Sequence, residues 1–302
     1  MIDNPRSPRI RAVAKLRKKD ARSQTGIFLL EGPQAVAEAL TYRPELVVEL
    51  YSTPTALERF TDIAQTAVDS GVDVEFVTEQ VLESMADTVT PQGIVAVCHQ
   101  FPTSVRDLLP PLDPAAKAGP QLIAILEEVR DPGNAGTIIR AADAAGADGV
   151  VLSGRSVDPY NPKVVRATTG SIFHLDIAVG PDLEAVLERT RAAGLQILAA
   201  DIKGEHLPAT RAAGVLAHPT AWLFGNEARG LSDAQLALAD RVVSVPLYGH
   251  AESMNLATAA SVCLYESAFA QREAPQRKHP SAQRLSRLGH DERSGLTLGA
   301  GV

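Results

Sequence analysis

Residues 122–152, LIAILEEVRDPGNAGTIIRAADAAGADGVVL, alternate between the two hydrophobic patterns of an α/β fold. The apolar run 122–126 predicts a buried strand, the apolar spacing over 135–145 predicts a helix, and 150–152 predicts a second strand. This is a βαβ unit of the usual length. Because apolar strands joined by helices need cover on both faces of their sheet, the unit predicts a doubly wound parallel sheet.

The alternation of strand and helix patterns continues on both sides of this unit. Downstream, the apolar spacing predicts further elements from about Pro162 and at 175–178, 182–193, 195–200, 221–224 and 254–270. Upstream, it predicts a smaller α/β region with strands at 27–30, 46–50, 72–77 and 94–98, and with helices from Pro33 and at 56–70 and 79–87.

Composition indicates where these regions end. Residues 101–120 contain five prolines and no sustained periodicity, which predicts a stiff, extended linker between domains at 1–100 and 121–271. After Gln271 the chain is rich in Arg, Ser and Gly, so residues 272–302 are predicted to be a disordered tail. The length of 302 residues agrees with two domains of ordinary size.

Composition also excludes several classes of protein. Hydrophobic residues make up 45% of the chain and charged residues 22%, values that exclude a fibrous or wholly disordered protein. No apolar run reaches the length of about 18 residues that a membrane helix needs, and the start of the chain lacks the apolar stretch of a secretory signal. Cys98 and Cys263 lie in apolar surroundings, which favours core residues in a reducing cytoplasm over a disulfide or a metal site.

Charge is distributed unevenly along the chain. The net charge is −7, yet residues 1–26 carry +6 and the remaining 276 residues carry −13. A basic arm on an acidic body favours a phosphate-rich partner, and its alternative is a solvated, partly disordered terminus. The candidate phosphate-binding residues of the arm are Arg17, Lys18, Lys19 and Arg22.

A polar turn at 127–140 lies between a predicted strand and a predicted helix, where parallel sheets bind ligands. It holds Gly133 and Gly136 but neither the G-x-G-x-x-G of a dinucleotide site nor a P-loop lysine. Arg140 lies one helical turn beyond Gly136, on the same helix face. It is either a phosphate ligand or a member of a surface salt bridge.

Two further polar turns lie downstream, the first directly after the predicted strand at 221–224. One, at 223–232, places Glu227 between two glycines; the other, at 243–249, leads through Asn255 into the last helix. Taken singly, Glu227 is explained by bonds to loop amides and Asn255 by a helix cap. The carboxyl ends of parallel strands share one edge of a sheet, so the three turns are expected to converge there.

Together the three turns resemble the three ordered motifs of the SpoU (TrmH-like) family of RNA 2′-O-ribose methyltransferases, in the SPOUT superfamily. The resemblance covers about residues 121–271, including the segment 161–171. Its motifs are Asn134 and Arg140 after Asp131-Pro132-Gly133, then Gly225-Asn226-Glu227-x-x-Gly230, then Ser253-Met254-Asn255-Leu256-Ala257. Residues 1–100 resemble, through 28–33, the ribosomal-protein-like substrate-binding domain of rRNA-modifying members, which favours rRNA over tRNA as substrate.

The resemblance changes the expected topology. Periodicity alone predicts an open, unknotted sheet, because threaded connections are rare. The resemblance implies a deep trefoil knot in the C-terminal domain, whose loops bind S-adenosylmethionine largely through backbone groups. The implied cofactor positions are Leu223, Gly225, Val245, Leu247 and Met254. Glycine at 225 would let the backbone approach the cofactor closely.

The resemblance also implies a reaction and an assembly. A methyl group passes to a ribose 2′-oxygen, and since a guanidinium is a poor base, Arg140 is predicted to clamp a phosphate and stabilise developing alkoxide charge. The residues that would orient Arg140, the ribose or the cofactor are Asn134, Glu227, Ser253 and Asn255. A homodimer through the C-terminal domain, with RNA bound across the two subunits, is implied as well. We assign no residue of the sequence to a metal site.

Two related functions stay open: a tRNA 2′-O-methyltransferase, and an RNA-binding protein with a catalytically inactive methyltransferase fold. A nicotinamide-dependent oxidoreductase is disfavoured, because the G-x-G-x-x-G and a suitably placed ribose-binding acid are missing.

Overall fold

The computed structural model describes residues 1–113, 119–180 and 182–273. Its N-terminal unit consists of α1 (Pro8–Lys15), α2 (Lys19–Thr25), β1 (Ile27–Glu31), α3 (Pro33–Tyr42), β2 (Val47–Ser52), α4 (Pro54–Arg59), α5 (Thr61–Asp69), β3 (Val74–Phe76), α6 (Glu79–Met85) and β4 (Ile94–His99). The four strands form one sheet in the order β1-β4-β2-β3. In this sheet β4 is antiparallel to both neighbours, and β2 and β3 are parallel. The short helix α7 (Val105–Leu108) follows this unit.

The C-terminal unit is a six-stranded parallel sheet between helices. Its elements are β5 (Leu122–Glu127), α8 (Pro132–Ala145), β6 (Gly149–Ser153), α9 (Pro162–Thr168), β7 (Asp176–Gly180), α10 (Leu183–Ala192), β8 (Gln196–His206), α11 (Leu207–Ala212), β9 (Thr220–Phe224), α12 (Asp233–Leu236), β10 (Arg241–Ser244) and α13 (Leu256–Glu273). The strand order is β10-β8-β9-β5-β6-β7, and every neighbouring pair is parallel. The predicted α/β class with a parallel sheet is confirmed.

The βαβ unit at the start of this sheet forms for local reasons. All six residues of β5 are buried, which suits an uninterrupted apolar strand between helix layers. Asp131 caps α8 by accepting a hydrogen bond from the Asn134 amide at 2.8 Å, and Pro132 occupies the first helical turn. Gly146 ends the helix with a φ of +73°.

The structure differs from the predicted elements where local patterns are weak. The helix predicted at 56–70 is two helices, α4 and α5, which meet at Phe60. β8 extends to His206, well beyond the predicted end, because its second half pairs with β10. Neither β10 nor α11 and α12 is predicted, since four to six residues carry too little periodicity to stand out.

The prediction of an extended linker over 101–120 is wrong for its described part. Helix α7 lies there, and Leu108 and Leu109 are buried in the core beneath the parallel sheet. The amide of Thr103 also donates to the carbonyl of Ile177 at 3.0 Å, at the edge strand β7. The prolines interrupt regular structure, but the two leucines supply apolar surface that holds the segment against the sheet.

A continuous core joins the two units. Phe28 of β1 lies 4.9 Å from the Tyr160 ring and 6.4 Å from the Phe173 ring, measured between ring centroids. The Tyr160 hydroxyl accepts a hydrogen bond from the amide of Phe101 at 2.9 Å. Arg22 of α2 is almost wholly buried and forms an ion pair at 2.6 Å with Asp158 of the C-terminal unit. The orientation of the two units is therefore set by packing and by charge.

Other expectations concern single residues and the chain end. Cys98 and Cys263 are free and buried, as predicted, and burial raises the pKa of each to about 12. α13 continues to Glu273, so the predicted tail at 272–302 begins inside a helix, and its remainder lies outside the described residues. Over the described ranges, no helix has the length and hydropathy needed to cross a bilayer.

Candidate functional site

Arg140 projects from α8 toward the end of α9. Its Nη1 donates a hydrogen bond to the Thr169 hydroxyl at 3.1 Å, and its side chain is exposed. Gly136 lets α8 lie close to α9, because a Cβ at that position would lie 2.5 Å from the Val164 carbonyl oxygen and from the Ala167 side chain. Within the described residues Arg140 forms no salt bridge, which removes the alternative of a surface ion pair and leaves its charge available to a ligand.

Asn134 and Asn255 meet at the start of two helices. The Nδ2 of Asn255 donates to the Oδ1 of Asn134 at 3.0 Å. The Oδ1 of Asn255 also accepts from the amide of Thr258 at 3.2 Å, at the beginning of α13. Asn255 therefore caps α13 and also links the third motif to the first. A role as a helix cap does not exclude a role in the site.

Glu227 joins the second motif to the first. Its carboxylate accepts hydrogen bonds from the amides of Asp131 at 2.9 Å and Arg130 at 3.2 Å, just before α8. Asn226 reinforces the link by donating to the carbonyl of Glu128 at 2.8 Å. Of the two roles predicted for Glu227, the structure selects the bonds to loop amides over a bond to Arg140. These bonds fix the loop from which α8 starts.

Gly225 is required by the chain's own path. A Cβ there would lie 2.5 Å from the carbonyl carbon of Gly230 and 2.7 Å from the amide of Leu231. The space that a side chain would occupy holds the backbone that closes the second turn, which is a structural reason for glycine here, and the role of Gly225 in cofactor binding stays a prediction. Leu223, two residues earlier in β9, is fully buried, and its place in cofactor binding stays a prediction.

The remaining predicted residues lie around the segment between β10 and α13. Val245 is half-buried, Leu247 and Met254 expose 37% and 36% of their surfaces, and Ser253 is exposed. Ser253 forms no hydrogen bond with Arg140, Asn134 or Glu227 in the described structure. Polar residues from each of the three motifs are thus brought together at one edge of the sheet, whereas Ser253 is not joined to them.

The basic arm contains the helices α1 and α2, and its four candidate residues differ in their exposure to solvent. Lys18, just before α2, and Lys19, its first residue, are exposed. Arg17 is exposed as well, although its guanidinium donates to the carbonyl of Ala86 at 3.1 Å. Arg22 is only 2% exposed, and its charge is taken by Asp158. The prediction that Arg22 binds phosphate is therefore wrong, because its guanidinium is enclosed in the contact between the two units.

Two residues at this edge are not among those that the sequence predicts. Thr169 lies within the segment 161–171, but only the fold brings its hydroxyl to Arg140. Glu127 ends β5 with 6% of its surface exposed, accepts a hydrogen bond from Gln235 Nε2 at 3.1 Å, and is held by Ser153 as well. Burial raises the pKa of Glu127 against the opposing effect of the Ser153 hydrogen bond. The signal that was available for Glu127 is a carboxylate at the end of an apolar strand.

Comparison with known proteins agrees with this arrangement. The SpoU rRNA Methylase family matches residues 121–265, and the family of RNA 2′-O ribose methyltransferase substrate-binding domains matches residues 29–104. The chain is 31% identical over 268 residues to the 23S rRNA (guanosine(2553)-2′-O)-methyltransferase RlmP of Bacillus subtilis, covering 87% of this chain and 97% of that protein. It is 32% identical to the 23S rRNA (uridine(2479)-2′-O)-methyltransferase of Streptomyces viridochromogenes, covering 84% and 86% of the two chains.

A solved structure is similar over nearly the same extent. The AdoMet-bound rRNA methyltransferase from Sinorhizobium meliloti superimposes with a TM-score of 0.74 at 31% identity, covering 91% of this chain and 98% of that one. Both the substrate-binding and the methylase regions are thus matched along with the three motifs that meet at the sheet edge. The chain belongs to the SpoU rRNA methylase family.

Proposed function

We propose that the chain is an S-adenosylmethionine-dependent 2′-O-ribose methyltransferase that acts on ribosomal RNA. The observation that carries the proposal is the sheet edge at which Asn134, at the start of α8, is linked to Asn255, while the same helix carries Arg140, which is exposed and has no ion pair among the described residues. The relatives' names support ribosomal RNA over transfer RNA, since two of them specify nucleotides of 23S rRNA.

The segment between β10 and α13 fits the cofactor chemically. The backbone N–H groups of residues 247–254 donate to no other atom of the described chain, so they are available to a ligand. Leu247 and Met254 present apolar surface on the same segment, which suits an adenine ring and a thioether chain. The similar Sinorhizobium meliloti protein was crystallised with AdoMet. When bound, this cofactor supplies the methyl group.

The chain's own residues orient the substrate. Arg140 would bind the phosphate beside the target ribose and stabilise the negative charge that develops on its 2′-oxygen. Thr169 limits the rotation of the guanidinium through its hydrogen bond, and Glu227 holds the loop before α8. Positioning of this kind supplies several kcal/mol of rate enhancement in enzymes, of order 7–11 at best.

We assign RNA docking to residues 1–100 and catalysis to 121–271. Lys18 and Lys19 remain as exposed phosphate ligands at the start of the chain, with Arg17 beside them. A positive segment on an otherwise acidic protein directs a polyanion to one face. This division leaves sequence preference to the surfaces nearer Arg140, because phosphate contacts carry little sequence information.

A homodimer through α13 is part of the proposal. Tyr265 and Phe269 are exposed on that helix at 37% and 47%, and Tyr248 is exposed at 90% on the adjoining segment. Tyr248 also lines an open groove of about 590 Å³ between α11 and α13. Aromatic side chains at the centre of an otherwise polar surface are typical of interfaces between subunits. A second copy of the chain is the occupant we propose.

We further propose the trefoil knot for the segment that runs from β9 through β10 to α13, in agreement with the family. We place the protein in the cytoplasm, since its free, buried cysteines suit a reducing compartment and its relatives act on ribosomal RNA.

One experiment tests the activity directly. Ribosomal RNA from a strain that lacks the gene is incubated with the purified protein and S-adenosylmethionine, and 2′-O-methylated positions are mapped. We expect one new modification. An absence of methylation combined with retained RNA binding would support the inactive RNA-binding alternative, and binding of NAD in place of S-adenosylmethionine would overturn the proposal altogether.

A further inference from the structure

A pocket of about 360 Å³ lies between the two units, within the usual volume range for ligand sites. One wall is the start of α3 and another is the loop before β4, both from the N-terminal unit. The third wall is the end of α9, from the C-terminal unit. The residues that the argument uses are Pro33, Gln34, Thr90, Pro91, Gln92 and Thr169.

Ion pairs between the units fix the shape of this pocket. Arg166 of α9 pairs with Asp87 at 2.9 Å and lies 3.5 Å from the carboxylate of Glu31. Glu31 is buried and accepts hydrogen bonds from the amides of Asp87 at 2.7 Å and Thr88 at 3.2 Å. Because the walls are held together before any ligand arrives, binding requires little ordering of the protein.

The chemistry of the pocket favours an uncharged, planar polar group. Gln34 and Gln92 each offer an amide donor and an amide acceptor, and neither side chain has a hydrogen-bond partner among the described residues. Pro33 and Pro91 precede them in the chain and add apolar rings to the lining. Among the described residues that line the pocket, Arg166 is the single cation, and its charge is already neutralised by Asp87 and Glu31, which disfavours a phosphate.

The pocket adjoins Arg140 through a shared residue, Thr169. Thr169 lines the pocket, and its hydroxyl accepts the hydrogen bond from Arg140 Nη1 at 3.1 Å. A ribose held beside Arg140 therefore brings its own base or that of a neighbouring nucleotide to the pocket. Glutamine side chains read nucleobase edges through such paired donors and acceptors, and unpaired bases are the usual targets of sequence-specific RNA recognition.

We propose that the pocket between α3, the loop at 88–92 and α9 binds one unpaired nucleobase of the RNA substrate at or next to the methylated nucleotide, through the amides of Gln34 and Gln92. The inference rests on the proposed methyltransferase function and assigns to this pocket a share of the choice of target nucleotide.

The test uses the full chain and an RNA transcript that contains the mapped methylation site. In a set of transcripts, each nucleotide from three before to three after the site is replaced by the other three bases. We expect wild-type kcat/KM to fall about 5- to 150-fold for replacements at one position, the range for a good base contact. The variant Q34A/Q92A should methylate the original transcript and that set at one similar, low rate, so that the preference disappears.

Two measurements separate a binding role from a structural one. The double variant should keep wild-type affinity for S-adenosylmethionine and the wild-type dependence of RNA affinity on salt, because it leaves every phosphate ligand in place. Gln65→Ala, which changes an exposed glutamine on α5 outside the pocket, serves as the matched control and should keep the full preference.

The outcomes distinguish failure of this inference from failure of the proposed function. If the wild-type protein methylates the transcript and Q34A/Q92A retains the same base preference and rate, the pocket does not read a base. A changed salt dependence in the double variant would instead indicate a phosphate and overturn the assignment. A wild-type protein that methylates no RNA would refute the proposed function and this inference with it.

Discussion

The guanidinium of Arg140 is held by the hydroxyl of Thr169, a β-branched residue whose backbone adopts a left-handed conformation with a φ of +54°. Such a conformation is uncommon for any residue other than glycine and costs of order 1–3 kcal/mol. This strained residue lies at the end of α9, where it accepts the hydrogen bond from Arg140. Because Thr169 is strained and also holds the Arg140 that we propose as the clamp, its substitution should change stability and rate separately.

Thr169→Gly should lower kcat without lowering stability. Glycine relieves the backbone strain, which offsets its entropic cost of about 1 kcal/mol, but it removes the hydrogen bond to Arg140. We expect kcat to fall roughly tenfold, the effect of about 1.4 kcal/mol, while Tm stays the same or rises. Thr169→Ser keeps the hydroxyl and should retain most of the rate. Equal rates for the glycine and serine variants would contradict the positioning role.

Arg140→Ala should nearly abolish methyl transfer and leave the affinity for S-adenosylmethionine unchanged. The proposed clamp would act on RNA and on the developing charge, so its removal should reduce kcat about 10²–10³-fold, as for other donors to a developing oxyanion. Arg140→Lys should also be slow, because a point charge does not reproduce the guanidinium fork. Single-turnover rates and calorimetric titration measure the two effects. More than about a tenth of wild-type kcat in the alanine variant would exclude Arg140 as a catalytic residue.

Gly225→Ala should destabilise the C-terminal unit. Its Cβ would lie 2.5 Å from the carbonyl carbon of Gly230, so the backbone of the second turn must move. We expect the free energy of unfolding to decrease by about 1–3 kcal/mol, the range for overpacking, measured by urea denaturation. Gly119→Ala, whose Cβ makes only ordinary contacts of 3.5 Å or more, is the matched control. Wild-type stability in Gly225→Ala would show that the turn is looser than this packing implies.

His174 should make the contact between the two units depend on pH. Its Nδ1 lies 2.8 Å from Asp143 of α8, its Nε2 lies 3.1 Å from Glu38 of α3, and Tyr42 packs on its ring at 4.4 Å. The hydrogen bond with Asp143, followed by the interaction with Glu38, raises the pKa of His174 above its ordinary value despite partial burial.

Because its pKa is raised, His174 should contribute less to stability as the pH increases. A histidine whose pKa is higher in the folded state contributes stability that is complete below its unfolded pKa of about 6.5 and is lost as the pH rises through the folded value. Wild-type Tm should therefore decline more between pH 6 and pH 9 than that of His174→Gln. His218→Gln, an exposed histidine without an ion pair in the described structure, should behave like wild type. Parallel pH profiles for wild type and His174→Gln would refute the linkage.

Substitution of the four basic residues of the arm should have two different effects, one on RNA affinity and one on stability. Replacing Arg17, Lys18 and Lys19 with Ala should weaken binding of unrelated RNAs alike and flatten the slope of log K against log salt by about 0.7–0.9 for each phosphate that the arm no longer neutralises. Arg22→Ala should instead destabilise the fold by about 3–5 kcal/mol, since it leaves Asp158 without its buried partner. An unchanged salt slope in the triple variant would mean that the arm does not bind phosphate.

Much of the architecture could be predicted from local patterns. The run 122–126, the helix spacing that follows it and the recurrence of both patterns predict the α/β class and the positions of the principal strands. Buried strands and half-buried helices impose their periodicity on neighbouring residues, so a short window carries the signal. Local patterns do not indicate the short strand β10 or the helix α7, because four residues hold too few repeats of the strand or helix periodicity.

The composition of the site depended on contacts between residues far apart in the chain. Arg22 and Asp158 are 136 positions apart, and Glu227 accepts from the amide of Asp131 across 96 positions. No local pattern distinguishes a buried arginine from an exposed one, so the charge of the arm predicted phosphate binding for all four residues alike. The motifs named the polar residues of the site, but only the packing of α8 on α9 and the closure of the turn at Gly225 decided which atoms meet. Side-chain partners are selected by the geometry of the assembled units, because a hydrogen bond or ion pair forms only where folding has already brought donor and acceptor within about 3 Å.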